Sequence, residues 1–104
     1  MTNLPPQFWL EVETALNEKL AVLESLTFTE LAALPETTDH TRIQEQEVSF
    51  TLFAWQRVPG SVVVVLQASV QGLLGFWRSF EKGFVAHEDG TKRSATQKEI
   101  ESVL

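Results

Sequence analysis

Val48-Ser-Phe-Thr-Leu-Phe-Ala-Trp-Gln-Arg-Val-Pro59-Gly60-Ser-Val-Val-Val-Val-Leu-Gln-Ala-Ser-Val70 decides the fold. Two runs rich in β-branched and aromatic residues flank a Pro-Gly turn, which is the pattern of a β-hairpin. Its register sets what each face of the sheet carries, because a slip of one residue moves a whole set of side chains to the other side. With Ala54 opposite Val64, one face holds Val48, Phe50, Leu52 and Ala54 beside Val62, Val64, Leu66, Ala68 and Val70, and is wholly apolar. The reverse face then carries Phe53, Trp55, Val63 and Val65 near the turn, and Ser49, Thr51, Gln67 and Ser69 away from it. With Ala54 opposite Val65, Phe53 and Trp55 instead join Val62, Val64, Leu66 and Ala68. The first register is preferred because it separates apolar from polar more cleanly. In both, the turn-proximal half of the hairpin is apolar on its two faces.

On the N-terminal side, Pro5 and Pro6 suit the first turn of a helix, where a missing N–H costs little. Phe8, Trp9, Val12, Leu16, Leu20 and Leu23 then recur at helical spacing, apart from the adjacent Phe8–Trp9 pair. They predict an amphipathic helix reaching about Glu24. Thr27-Phe-Thr-Glu30 has capping-box spacing and opens a short second helix over about 28–34, which Pro35 stops. Glu36 to Thr41 has no apolar residue and reads as a polar linker over 36–41. The strand that follows begins near Arg42 and runs to about Arg57, with Arg42 to Glu47 as an exposed polar end.

Beyond the hairpin, Gly72 and Gly75 punctuate a connection, and Phe76 to Phe80 begin a third strand. Gly83 allows a turn or a bulge. Phe84 to His87 continue as strand, and Asp89-Gly90 marks a turn after which Thr91 to Ser94 pair back. Thr96-Gln-Lys-Glu99 is a second capping-box match and predicts a terminal helix over about 97–103, with Ile100 and Val103 facing inward. The 104 residues therefore read as a single α+β domain. Its helical part spans about 6–34 and its antiparallel meander sheet of three to five strands about 42–94, with a short helix at the end.

Composition narrows the function classes. The absence of cysteine excludes disulfides, thiolate catalysis and Cys-ligated metal sites. The first residues, Met1 to Pro6, have neither a basic nor an apolar targeting region, and the longest apolar run is Val62 to Leu66. The expectation is a cytoplasmic protein with no membrane contact. The net charge of −6 is uneven. Residues 1–56 carry nine acids against Lys19 and Arg42, whereas residues 57–104 carry six bases against five acids. An acidic chain disfavours nucleic acid, and the basic residues Arg57, Arg78 and Lys82 among Trp55, Phe76, Trp77 and Phe80 form no RNA-binding run.

Chemistry is sparse. Gly72-Leu-Leu-Gly75 lacks the lysine of a phosphate loop. Asp39-His40 lies in the polar linker, and His87 and Asp89, two apart, could share a strand face but for the turn that Asp89 forms with Gly90; no serine sits in a nucleophile motif. Glu45 and Glu47 are two apart on one expected strand face, but lie in a wholly polar stretch. No cofactor, metal or catalytic residue is expected. The surplus apolar face of the hairpin points to a non-enzymatic domain acting through protein contact or homodimerisation, with Phe53, Trp55, Arg57, Val63 and Val65 as the interface. The alternative is a ligand-binding or catalytic pocket between sheet and helices, with Trp77, Arg78, Phe80 and His87 in its lining.

Overall fold

A computed structural model describes residues 6–71 and 77–104; the side chains of Arg57 and Trp77 are also outside the described set. The chain is α+β: an N-terminal helix, a five-stranded antiparallel sheet and a short C-terminal helix. Helix α1 spans Pro6–Glu24 and α2 spans Phe28–Ala32. The strands are β1 Thr37–Ile43, β2 Gln46–Val58, β3 Ser61–Gln71, β4 Trp77–His87 and β5 Lys92–Ser94, followed by α3, Gln97–Val103. The sheet order is β1-β2-β3-β4-β5, so each strand pairs with its neighbour in sequence.

The hairpin takes the preferred register, with Ala54 opposite Val64 and Val48 opposite Val70. Pro59 and Gly60 form its turn, and Gly60 has φ +82°, as the third position of a type II turn requires. A bulge between Trp55 and Val58 adds one residue to β2 next to that turn. The apolar face packs under α1 and α2 in two clusters. Phe8, Val12 and Leu16 of α1 bury against Val48, Phe50, Leu66, Ala68 and Val70. Leu31 of α2 buries against Val62, Val64, Phe84 and Ala86. Each fully buried side chain of this size contributes about 2 kcal/mol, so α1, with three, is firmly held.

Four expectations need correction. The second helix is a five-residue piece ending at Ala32, short of Leu34. Its capping box is present: Thr27 Oγ1 accepts from Glu30 N, and Glu30 Oε1 accepts from Thr27 N. The 36–41 stretch is largely a strand, because Thr37 to Ile43 pair with Leu52 to Gln46 along the edge of the sheet. Its polarity is that of an edge strand, exposed to Arg42 and half-buried only at Ile43. Arg42 to Glu47 therefore do not form one strand end. The chain reverses at Gln44 and Glu45, both at positive φ (49° and 66°), in a two-residue hairpin loop. Glu45 and Glu47 share no strand face. Gly83, finally, is neither turn nor bulge: β4 pairs with β3 without interruption, and Gly83 lies opposite Val65. A Cβ there would sit 2.5 Å from the Val64 carbonyl oxygen.

The reverse face is divided in two. Its turn-proximal half, Trp55 excepted, is covered by α3, whose Ile100 packs on Val63, Val65 and Val85 with Phe53, Ala95 and Val103 around them. Its other half is polar, and its side chains pair across the strands: Thr38 with Thr51 (3.1 Å), His40 with Ser49 (3.0 Å), and Gln67 donating to Glu81 (3.1 Å). No described helix is long and apolar enough to cross a membrane.

Candidate contact surface at the hairpin end

Period-two alternation puts Phe53, Trp55, Val63 and Val65 on the reverse face, but the structure treats them differently. Val63 and Val65 are 3% and 0% exposed beneath α3, so they form core rather than surface. Phe53 is half-buried at the margin of α3. Trp55 lies beyond the helix and is 46% exposed. A cleft of about 330 Å³ runs beside it, lined by Phe53, Ala54, Trp55, Ser102, Val103 and Glu36. The last β1–β2 pair is Thr37 with Leu52, so among the described residues no strand pairs with the outer side of β2 alongside Trp55. Arg57, expected at the rim, has its side chain outside the described residues.

Two features hold α3 against this face. Thr96 Oγ1 accepts from Glu99 N, while Glu99 Oε1 accepts from Thr96 N at 2.9 Å, completing a capping box. The same carboxylate accepts two hydrogen bonds from Arg93, Nη1 and Nη2, each at 2.8 Å. The Arg93 guanidinium, with the backbone N–H of Thr96, pulls the Glu99 carboxyl down to about 2. Arg93 sits on β5 opposite Val85, so the pair ties helix to sheet.

The residues of the alternative pocket are not brought together. Arg78 and Phe80 lie on the helix-covered face at one end of β4. There Arg78 stacks 5.0 Å over the Trp9 ring, and Trp9 meets Phe80 edge-on at 5.2 Å. His87 lies on the reverse face at the other end of β4, about 30 Å away along the strand, where its Nδ1 bonds Ser61 Oγ at 2.9 Å. Trp77 opens β4, with its side chain outside the described residues. The connection expected through Gly72 and Gly75, with Phe76, is likewise outside them.

Among the described residues, neither histidine has a hydroxyl and a carboxylate on opposite ring nitrogens. His40 Nδ1 is close to both Ser49 Oγ (3.0 Å) and Glu47 Oε1 (3.3 Å), on an open strand face. A triad needs the acid and the nucleophile on opposite ring nitrogens in a site that excludes water. Asp89 is engaged by Thr91, whose N–H and hydroxyl both donate to it and hold its carboxyl below the usual range. Among the described residues, no three His, Asp or Glu side chains are grouped to hold a metal ion.

Surface grooves between α1 and the sheet were not legible in the sequence, and the most apolar-walled of those facing β1 lies at the helix end. The C-terminal part of α1 leaves a space of about 310 Å³ above Phe50, Leu52 and Leu66, with Val22 and Leu23 on one wall and Lys19 and Asp39 at its rim. Asp39 reaches it because β1 is a strand, and nothing local in the polar stretch 36–41 signals that pairing.

Compared with known proteins, the chain matches no family model, no curated protein and no solved structure.

Proposed function

We propose that this is a non-enzymatic contact domain that associates with a second copy of itself through the Trp55 end of the β2–β3 hairpin. One observation carries the reading: a large aromatic ring, 46% exposed, stands beside a partly apolar cleft on the same face. Exposed tryptophan next to a cleft is the arrangement that protein interfaces favour at their centre. A second copy suits it because ring and cleft lie side by side. Under two-fold symmetry each Trp55 enters the cleft of the other subunit, which makes the surface self-complementary. Of the other exposed large apolar side chains, Leu10 and Val22 lie on α1 and Phe80 on the helix-covered face of β4, on the opposite side of the sheet, whereas Val58 ends β2 at the same hairpin turn and Leu104 follows α3.

Sedimentation equilibrium from about 1 to 100 μM checks this, since a dimer must follow mass action over such a range. The expected result is a monomer–dimer equilibrium for the native chain and a monomer throughout for Trp55→Asp, with unchanged circular dichroism. A native chain that stays monomeric to the top of the range overturns the reading.

A further inference from the structure

We infer that α3 is a releasable cap, opening as a unit about Ala95 and uncovering the apolar strip of Phe53, Val63, Val65 and Val85. The sheet does not need α3 to close its principal core. That core lies on the other face, where α1 and α2 supply Phe8, Val12, Leu16 and Leu31, all fully buried. Helix α3 has seven residues, too few to persist alone in water, and it buries one side chain, Ile100, with Val103 half-covered. Among the described residues, the side-chain polar tie between α3 and the sheet is the Arg93–Glu99 pair, and one backbone bond, Ala95 N to Gly83 O at 3.0 Å, anchors the chain just before the helix. A single residue, Ala95, separates the end of β5 at Ser94 from the N-cap Thr96.

Such an element belongs to the low-stability end of a structure and opens before the rest unfolds. Once it opens, the strip beneath is continuous with Phe53 and Trp55. The cap therefore controls how much apolar surface the contact site presents. This gating rests on the contact reading above, whereas the opening itself does not.

The chain has no cysteine, so a single introduced thiol reports its own exposure. Val64 and Val65 are adjacent on β3 and both fully buried, one beneath α2 and the other beneath α3. Val64→Cys and Val65→Cys are to be labelled with a thiol reagent in native buffer at about 1 μM, where a weak dimer dissociates. The thiol at 65 is expected to react at least about tenfold faster than the thiol at 64. Adding Glu99→Gln is expected to accelerate labelling at 65 several-fold, about as far as loss of one charge-assisted bond allows, and to leave 64 unchanged. Equal rates at the two positions, or a response of both to Glu99→Gln, overturn the cap. Equal urea midpoints for the two variants guard against general unfolding, and Val63→Cys replaces Val65→Cys if they differ. Fast labelling at 65 in a chain that never dimerises keeps the cap and removes the contact reading. Slow labelling in a chain that dimerises does the reverse.

Discussion

Glu99 serves two structures with one carboxylate, the N-terminus of α3 and the guanidinium of Arg93. Its folded pKa of about 2 lies below its ordinary 4.5. For a carboxyl lowered by folding, the stability it confers is fully present above the unfolded value and is lost as pH falls through the folded one. The native chain is therefore expected to lose the contribution of the Glu99 carboxylate between about pH 4.5 and 2. Glu99→Gln is expected to be less stable than the native chain at pH 7 and to converge with it near pH 2, which urea titrations at the two pH values check. Gly83 makes a different demand. A methyl group 2.5 Å from the Val64 carbonyl forces the backbone of β3 or β4 to move. Gly83→Ala is expected to lower stability by about 1–3 kcal/mol, the usual range for overpacking, read from its urea midpoint.

Among the elements, α1 and β1 contrast in how they are specified. Helix α1 is written in its own residues: Phe8, Val12 and Leu16 recur every four positions and are the three that bury completely. Strand β1 carries no apolar alternation, and exists because β2 offers it an edge. Its loop is also unfavourable by composition. Gln44 and Glu45 both adopt positive φ, where Asn and Gly are the residues of choice. Replacing the pair by Asn-Gly is expected to stabilise the domain by about 0.5–1 kcal/mol, measured as a rise in the urea midpoint without a change in slope. Helix α3 combines the two cases. Its capping box is local and legible at Thr96 and Glu99, but the face it covers depends on Arg93 and Val85, which lie on other elements.

At the scale of the molecule, a five-stranded sheet with helices on one side only would leave Val63, Val65 and Val85 bare. The terminal helix closes that gap and leaves Trp55 beyond its edge. The remaining surface is small, so a dimer built on it is expected to be weak, forming in the micromolar range. Its formation is expected to raise the apparent melting temperature with protein concentration for the native chain but not for Trp55→Asp.

By itself, the sequence determined the α1 stripe, both capping boxes and the Pro59-Gly60 turn, and it favoured the pairing of Ala54 with Val64 over the register one residue away, which the strand pairing settles. Each of these is set by residues a few positions apart, or by the requirement that one sheet face be wholly apolar. The tertiary structure alone decided that 37–43 is an edge strand, that Gly83 sits flush against Val64, and that Ile100 covers the second face of the hairpin. These three depend on what stands opposite a residue in space. Val63 and Val65 read as surplus because the two hairpin runs are neighbours in sequence, whereas Ile100, which buries them, lies near the end of the chain. Trp55 is what that covering leaves outside.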